Sequence, residues 1–406
     1  MDTGSASPCG AGFSSAETGV CKPFKAQCEH ECDREAFMTK HVVFADHSSE
    51  LGGGQLGLLR YLAQPSRFKR SVVVLGEGPL AGRVRDLGID VRVMPGVSTY
   101  ADKVRSAGHL QSTIRSMAPD VVVANSLPVA NILGLRSGQD YIRIAYLRED
   151  LSVPSLPGRL KRLAMFKHTL AGFDGFLANS SYTASTLPRG LQGRPTEVAH
   201  PVSGTGRATC REFPTGEFTI ASLSRLDHSK GVHVLLDAVE HLVSNGLNVR
   251  ALIAGGSAHA DPRYADDLHR LADERSLPVD FLGHVDNVQE VLERSHVLAL
   301  CTLRPEAFGQ VMVQAMASGR PVIATAMGGP VEVLGPSRAG LLVPPGDSRA
   351  LARAIRGLHD DREGLSATAR LGIAEALRFT DDVTSARLDE GISRIAEAIE
   401  AGNTGG

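Results

Sequence analysis

The chain has 406 residues, enough for two domains of ordinary size. Its hydrophobic content of 42% and charged content of 22% are typical of a globular protein, and a net charge of −2 gives no indication of a nucleic-acid partner. The apolar runs are too short to span a bilayer, and the N-terminus lacks the charged start and apolar core of a secretory signal. We therefore expect a cytoplasmic protein without an integral membrane segment. Peripheral contact with a membrane remains an alternative.

Residues 1–37 differ in composition from the rest of the chain. They are rich in Gly, Ser and Ala with little apolar periodicity, which predicts a disordered tail. The tail holds four of the six cysteines, but their spacing fits no common zinc pattern, so no metal site is predicted there: Cys9, Cys21, Cys28 and Cys32. Met38 directly precedes the first strand-like run and is a candidate for the true start of the protein.

The body of the chain begins with an alternation of strands and helices. Residues 41–46 are predicted to form a strand, and the glycine-rich segment from Gly52 leads into a helix that carries Leu58 and Leu62. Further strands are predicted at 71–75, 91–94, 121–125, 142–146 and 175–178. Apolar strands that alternate with helices are typical of a parallel sheet covered on both faces.

A second alternation follows a polar, Gly/Thr-rich segment at 202–216, which is predicted to be a linker. Its strands are predicted at 218–223, 249–254, 279–282, 297–301 and 322–324. The predicted fold class is therefore α/β, with two Rossmann-like domains at 38–201 and 217–382 and a cleft between them. Ligands of such sheets bind beyond the carboxyl ends of the strands.

The most informative stretch runs from Arg304 to Thr325. Glu306 precedes Gly309, where an apolar helix pattern begins, and Gln314 lies about a turn and a half further along. The first turn of such a helix offers free backbone N–H groups and the positive end of the helix dipole, both of which favour phosphate. The stretch predicts a site for a phosphorylated ligand rich in hydroxyl groups.

The interval from Glu306 to Gln314 resembles the Glu-x7-Glu motif of the family 4 retaining glycosyltransferases, with Gln in the second Glu position. Three other blocks agree. Residues 224–231 resemble the family's phosphate-binding segment, 281–285 the segment that lines the base pocket, and 340–346 the stretch that follows the donor site. The resemblance is dense from about 218 to 355 and looser from 41 to 201.

This resemblance implies a GT-B fold and a retaining hexosyltransferase. The enzyme would move a sugar from a nucleoside diphosphate, UDP or GDP, to an acceptor hydroxyl, with the nucleotide sugar as co-substrate and no other cofactor. Retention is explained most simply by attack on the front face, with the departing phosphate taking the acceptor proton. A last helix, at about 383–400, would cross back onto the first domain.

By resemblance, Arg225 and Lys230 hold the donor diphosphate, and Glu306 orients the sugar. Two cations that converge there would stabilise the diphosphate as a leaving group. The alternatives are a solvated loop for the two cations and an exposed acid favoured by the helix dipole for Glu306. The remaining donor residues implied by the family are Gly53, Gly54, Gly283, Val285, Phe308, Gly309, Gln310, Val311 and Gln314; the glycines at 283, 328 and 329 could instead belong to ordinary turns.

Two positions depart from the family pattern. Gln314 can accept one hydrogen bond and donate another to the ribose, which allows binding that is weaker than that of Glu. Asn125, predicted to be catalytic, stands where many relatives carry a histidine near the reacting carbon. Arg148, Glu149 and Asp150 are predicted to face the cleft, where they bind the acceptor or form a structural ion pair. The lack of Trp and the 5% of aromatic residues favour a small acceptor.

Three alternatives remain open from the sequence. A sugar-nucleotide epimerase would need an acid/base pair in the cleft, and the sequence reveals no convincing carboxylate–histidine set. An NAD-dependent oxidoreductase would depend on the glycines at 52, 54 and 57, a weak signal by itself. A silent nucleotide-sugar-binding protein would depend on Gln314 and Asn125. Because the chain has no Asp-x-Asp, a metal-dependent transferase is not expected.

Overall fold

The computed structural model describes residues 39–95, 100–135, 140–152, 169–206, 212–256 and 261–404. The predicted tail and its four cysteines lie outside these residues. Within them, no helix combines the length and the apolar character needed to cross a membrane.

The first half of the chain forms a seven-stranded parallel sheet in the order β3-β2-β1-β4-β5-β6-β7. The strands are β1 His41–Asp46, β2 Lys69–Leu75, β3 Asp90–Met94, β4 Val121–Ala124, β5 Ile142–Leu147, β6 Gly175–Ala178 and β7 Thr196–Val198. The described helices are α1 Gly53–Leu62, α2 Pro79–Asp86, α3 Tyr100–Ser116, α4 Leu127–Leu133 and α5 Ser181–Ser185, with a 3₁₀ turn at Arg189–Leu191.

The second half forms a six-stranded parallel sheet in the order β10-β9-β8-β11-β12-β13. Its strands are β8 Phe218–Leu223, β9 Val249–Ala254, β10 Val279–Gly283, β11 Val297–Leu300, β12 Val322–Thr325 and β13 Gly340–Val343. Its helices are α6 Val232–Ser244, α7 Pro262–Glu274, α8 Val288–Glu293, α9 Gln310–Ala317, α10 Gly329–Ser337, α11 Ser348–Asp360 and α12 Arg362–Ala376. Two 3₁₀ turns, His228–Lys230 and Leu377–Phe379, complete this half, and α13 Asp381–Thr404 ends the described chain.

The prediction of two Rossmann-like α/β domains is confirmed. Every strand predicted from the sequence is present, with ends that differ by at most two residues. Two edge strands were missed. β7 has only three residues, Thr-Glu-Val, of which one is apolar. β13, Gly-Leu-Leu-Val, does carry an apolar run, which was assigned only to the stretch that follows the donor site.

The strands are buried on both faces because helices cover each side of each sheet. Successive residues of β1 serve different cores: Val42 packs in the cluster that contains Tyr61, whereas Val43 packs in the one that contains Leu110. This explains why the strands read as continuous apolar runs rather than alternating ones.

The last helix, α13, packs against the first sheet although it follows the second domain in sequence. Its Leu388, Ile392 and Ile395 are buried in the same cluster as Val42. Burying one such side chain fully contributes about 1.5–3 kcal/mol. The helix begins at Asp381 and ends at Thr404, two residues before and four residues after the predicted bounds.

The predicted linker is buried in part. Val202, Ser203 and Thr205 have almost no exposed surface. The backbone N–H groups of Gly204 and Thr205 donate to Oδ1 of Asp381, at 2.9 and 3.0 Å. The start of α13 is therefore fastened to the chain that leaves the first domain.

Candidate functional site

Lys230 owes its position to a short turn that follows β8. The carboxylate of Asp227 accepts from the Ser229 backbone N–H at 2.8 Å and from the Ser229 hydroxyl, and these bonds are the main reason that the Asp227 pKa is lowered. The turn ends at Gly231, whose φ is 65°. A Cβ at Gly231 would lie 2.0 Å from the carbonyl oxygen of Cys301, so only glycine fits this crossing.

Lys230 and Glu306 form an ion pair. The Lys230 Nζ lies 2.6 Å from Oε2 of Glu306, and the two side chains are only 23% and 21% exposed. This contact was not predicted, because separate roles were expected for the two residues. The alternative of a freely solvated loop is therefore wrong for Lys230. Arg225 is exposed and reaches the same cavities as Glu306.

The backbone around Glu306 is held by the start of α10. Glu306 forms an isolated parallel bridge with Gly328, and its carbonyl oxygen accepts from the Gly329 N–H at 2.8 Å. Gly328 has a φ of 71°, and a Cβ there would lie 2.2 Å from that oxygen. The backbone contacts of Gly328 and Gly329 therefore hold Glu306 in place, so these two glycines do more than form an ordinary turn.

Helix α9 begins without a side-chain cap. Its N-cap, Gly309, has φ 89° and ψ 65°, and no side chain accepts from the N–H groups of the first turn there. A Cβ at Gly309 would make only ordinary contacts, the nearest at 3.5 Å, so the left-handed backbone is what requires glycine. The N–H groups of Gln310 and Val311 are left to face an anion.

Phe308 has a structural side chain. It is 2% exposed, and its ring lies 5.1 Å from that of His200 and 5.6 Å from that of Phe379, between ring centroids. The donor contact implied for Phe308 stays a prediction, and the residue is among those that line a cavity of about 340 Å³ in the cleft.

The two domains touch through α9. The Gln310 side-chain amide donates to the carbonyl oxygen of Gly53 at 2.9 Å, and that of Gln314 donates to the carbonyl oxygen of Ser203. Gln310 also accepts from Arg60 at 3.4 Å. Gln314 thus contacts the chain that leaves the first domain, through a donor group that Glu would lack.

Most of the predicted residues line three cavities along the cleft. The first, of about 340 Å³, is lined by residues of both domains, among them Gly53, Gly54, Asn125, Arg148, Glu149, Arg225, Glu306, Gly309 and Gln310. The second, of about 450 Å³, includes Arg148, Glu149, Asp150, Arg225, Lys230 and Glu306. The third, of about 290 Å³, includes Arg60, Thr205, Asn287 and Gln314. Gly283, Val285 and Val311 are not among the residues that line these three cavities.

Asn125 and Arg148 form a buried network. The Asn125 amide donates to Oδ2 of Asp46 at 2.6 Å and its oxygen accepts from Arg148 at 2.7 Å, so both ends of this amide have protein partners. The Arg148 guanidinium carbon lies 3.9 Å from the centroid of the Tyr146 ring, and burial lowers the Arg148 pKa. The Nε of Arg148 has no hydrogen-bond partner. The other two predicted acceptor residues differ: Glu149 is exposed, and the carboxylate of Asp150 accepts from Ser152.

Asp46 and His47 were not among the site residues predicted from the sequence. Asp46 is fully buried at the end of β1, and Nδ1 of His47 lies 3.0 Å from its Oδ1 and 2.8 Å from the hydroxyl oxygen of Ser126. A signal for these residues was available, since Asp46 ends a central strand, His47 follows it, and Ser126 follows the neighbouring strand β4. Ligands of doubly wound sheets bind at that edge.

A second contact between the domains involves Glu332 of α10. Its carboxylate accepts from the backbone N–H and the hydroxyl of Ser181, at 2.8 and 3.1 Å, and lies 3.2 Å from Nε2 of His200. Burial raises the Glu332 pKa, but the hydrogen bonds from His200 and Ser181 outweigh this effect and the net pKa is lowered. Among the described residues, no group of three or more His, Cys, Asp and Glu side chains is arranged to hold a metal ion.

Residues 211–373 match the family model described as glycosyl transferases group 1. Over this segment, the chain is similar to the group 1 glycosyltransferases. The chain is 31% identical over 198 residues to the D-inositol 3-phosphate glycosyltransferase of Corynebacterium urealyticum. The matched segment covers 46% of each protein. The chain is also 30% identical over 190 residues to the phosphatidyl-myo-inositol mannosyltransferase of Mycolicibacterium smegmatis, which covers 46% of this chain and 47% of that protein. These matches span about half the length of either relative.

Solved structures of two other proteins share the fold over most of the chain. HepE of Anabaena in complex with UDP superposes with a TM-score of 0.73 at 22% identity, over 87% of this chain and 99% of HepE. The sucrose-phosphate synthase of Thermosynechococcus elongatus superposes with a TM-score of 0.69 at 18% identity, over 88% of this chain and all of that one. At these identities the likeness concerns the fold.

Proposed function

We propose that this protein is a group 1 glycosyltransferase, which transfers a sugar from a nucleoside diphosphate to the hydroxyl of an acceptor. The observation that carries the proposal is the pairing of Lys230 with Glu306 beside the uncapped start of α9. A cation for phosphate, a carboxylate for sugar hydroxyls and free N–H groups for the diphosphate thus lie within one cleft. The names of the relatives agree with this activity.

The donor would bind by exchange of partners. A diphosphate at Lys230 replaces the Glu306 carboxylate as the partner of Nζ, and Glu306 then becomes available to the hydroxyls of the sugar. Arg225 adds a second cation, and the two would stabilise the negative charge that develops on the departing diphosphate. In this arrangement the cations and the helix start do the work that a divalent metal does in other transferases.

The donor base is proposed to be uracil or guanine, with no cofactor beyond the nucleotide sugar. UDP is supported by the complex of HepE, a protein of the same fold. The nucleoside would occupy the cavity of about 290 Å³ that includes Gln314. Retention of the anomeric configuration, by front-face attack, is part of the proposal.

The alternatives have less support. The absence of a carboxylate–histidine pair was the argument from sequence against an epimerase, and that argument is wrong, because Asp46 and His47 form such a pair. What disfavours the epimerase is that the relatives reported above are named as glycosyltransferases or as a mannosyltransferase. For the oxidoreductase, Glu77 is the nearest acid after β2, and it is exposed and paired with Arg85.

The first experiment is a thermal-shift series of the purified protein with UDP, GDP, ADP, TDP and NAD, each with magnesium or with EDTA. We expect stabilisation by one nucleoside diphosphate, unaffected by EDTA and lost in Lys230→Ala. Lys40→Ala is the matched control, since Lys40 pairs with Glu400 on the surface at the same 2.6 Å distance. A response to NAD alone, or to none of the nucleotides, would contradict the proposal.

The second experiment follows the fate of the sugar. Incubation with UDP-glucose or GDP-mannose, followed by NMR, separates the outcomes: a transferase slowly releases the free sugar to water, whereas an epimerase returns an isomerised nucleotide sugar. An initial α-anomer from these α-linked donors is expected for retention. An initial β-anomer would contradict it.

A further inference from the structure

A cationic groove lies between two helices of the second domain. α6 and α11 pack against each other over the second sheet, and a cavity of about 400 Å³ opens between them. It is lined by Arg349, Arg353 and Arg356 of α11, together with His241 of α6 and Asn245 just after that helix. No acidic residue of the described chain lines this cavity, which we call the arginine groove. None of its lining residues lines the three cavities of the cleft.

The three arginines share one face of α11. Spacings of four and three residues place their side chains in one row, and Arg349 and Arg356 lie about 10 Å apart along the helix axis. The opposite face of the helix carries Leu351, Ile355 and Leu358, which are buried in the core of the second domain. The helix is therefore fixed to the domain by its apolar face, and its arginine face is left to the groove.

The protein does not balance the charge of these arginines. Within the described part of the chain, no hydrogen bond or ion pair involves any of the three. The acidic residues of the two helices have other partners: Asp237 and Glu240 lie 2.8 and 2.7 Å from Arg275, and Asp360 lies 2.6 Å from His359. The groove therefore concentrates positive charge without a neighbouring anion.

This arrangement does not serve the stability of α11. Like charges three and four residues apart repel each other on a helix surface. Arg349 also stands in the first turn of the helix, where the positive end of the helix dipole disfavours a cation. An anion bound from outside the chain would relieve both effects.

We propose that the arginine groove binds a small soluble ligand that carries at least two phosphate groups. A guanidinium group presents planar donors that match the oxygens of phosphate. A row of three such groups over about 10 Å is longer than one phosphate can use, so at least two are expected. The volume of about 400 Å³ lies within the range of about 300–1,000 Å³ that small-molecule sites occupy. This site is separate from the proposed donor site and does not depend on the transferase function.

A membrane surface suits this groove less well than a soluble ligand. Surfaces that lie on bilayers combine cations with exposed apolar side chains. The two apolar residues that line the groove, Leu242 and Ala352, are only 1% and 7% exposed. The groove therefore offers cationic and polar contacts within a cavity, and no apolar side chain that would enter a bilayer.

The test is a calorimetric titration with tripolyphosphate, in a Lys230→Ala background so that the proposed donor site contributes less. The groove variant Arg353→Gln/Arg356→Gln is compared with the control variant Arg338→Gln/Arg370→Gln, which removes the same charge from exposed positions outside the groove. We expect binding to be at least about tenfold weaker in the groove variant, because charge-assisted hydrogen bonds are lost. Added NaCl should weaken binding by the control variant, because salt screens exposed charges.

Thermal unfolding without ligand separates loss of the site from loss of the fold. Glutamine has nearly the helix propensity of arginine, and the substitutions remove a like-charge repulsion. The Tm of the groove variant should therefore equal or exceed that of the control variant. With tripolyphosphate, only the control variant should show a marked increase in Tm.

Two results would overturn the proposal. The first is an equal affinity for tripolyphosphate in the two variants, or no binding by either. The second is sedimentation with vesicles of phosphatidylcholine and cardiolipin in equal parts that occurs for the control variant and is lost in the groove variant, since it would assign the groove to a lipid surface. Neither result bears on the nucleotide response that tests the transferase, which is measured with the arginines intact.

Discussion

Lys230 and Glu306 are 76 positions apart in the chain, and the structure joins them by an ion pair of 2.6 Å. At the scale of single residues, this pair decides how the donor enters. The phosphate of a bound nucleotide must displace the Glu306 carboxylate from Lys230. A nucleotide sugar can form new hydrogen bonds to the released carboxylate, whereas a bare nucleotide cannot. A change at Glu306 should therefore affect the binding of these two ligands differently.

The first prediction concerns Glu306→Gln. Without the carboxylate, Lys230 is free for phosphate, so UDP or GDP should bind equally well or a few-fold more tightly. The corresponding nucleotide sugar should lose its advantage over the bare nucleotide, by about 1.5–3 kcal/mol for hydrogen bonds to a charged group. Isothermal titration calorimetry measures both. Equal weakening of the two ligands would show that Glu306 acts on the phosphate site alone.

The second prediction concerns Gln314→Glu, which restores the residue of the family motif. The new carboxylate cannot donate to the carbonyl oxygen of Ser203, as the amide does now. We expect a loss of about 1–3 kcal/mol in the free energy of unfolding, measured with urea near neutral pH. Gln192→Glu is the matched control, since this more exposed amide donates to the Leu187 carbonyl oxygen within one domain. A more stable Gln314→Glu protein would contradict this account.

At the scale of elements, the start of α10 and the loop before α9 form one unit. Gly328 brings its backbone against Glu306, and the left-handed Gly309 starts α9. The carboxylate and the anion-binding helix start are thereby fixed relative to one another. The sequence contains both glycines, but the distance that makes Gly328 necessary arises only when α10 lies beside the loop.

The third prediction concerns Gly328→Ala. The added Cβ would lie 2.2 Å from the Glu306 carbonyl oxygen at a φ of 71°, so the loop must shift. We expect a loss of at least about 2 kcal/mol in stability and weaker binding of the nucleotide sugar. Chemical unfolding and calorimetry measure these effects. Gly357→Ala is the control: this glycine lies in α11 with open space around it, so the substitution should be neutral or stabilising by up to about 1 kcal/mol. A stability change as small as this in Gly328→Ala would contradict the packing argument.

At the scale of the whole molecule, Glu332 joins the two domains next to His200 and Ser181. The fourth prediction is that Glu332→Ala weakens the contact between the two domains. Small-angle scattering of the free protein would detect this change as a larger radius of gyration. Glu397→Ala, an exposed residue of α13, is the control. An unchanged scattering curve would mean that the contacts of α9 and α13 hold the domains by themselves.

The fifth prediction is the pH dependence of that contact. The folded-state pKa of Glu332 lies below its ordinary value of 4.5, so the carboxylate contributes stability that is fully present above about pH 4.5. The contribution is lost as the pH falls through the lower folded-state pKa. The difference in Tm between wild type and Glu332→Ala should therefore shrink as the pH falls below about 4.5. A difference that grows as the pH falls below that value would contradict the assignment.

The sequence by itself determined the two-domain α/β fold, the positions of its central strands and the segment that resembles the glycosyltransferases. These follow from local information: apolar runs of strand length, helix periods between them, and the motif around Glu306. The short edge strand β7 escaped prediction because only one of its three side chains is apolar, whereas β13, Gly-Leu-Leu-Val, has an apolar run from which it could have been predicted. The packing of the Phe308 ring could not be predicted, because it involves His200 and Phe379, which are distant in sequence.

Only the tertiary structure decided how the candidate site is assembled. The Lys230–Glu306 pair, the contact of Gln314 with Ser203 and the commitment of Asn125 to Asp46 and Arg148 all join residues from different strands or domains. Composition and periodicity report which residues are buried, but hydrogen bonds and ion pairs depend on distances of a few ångströms between remote parts of the chain. Those distances are set by the packing of the two sheets, and so the partners of each polar side chain appear only in the folded molecule.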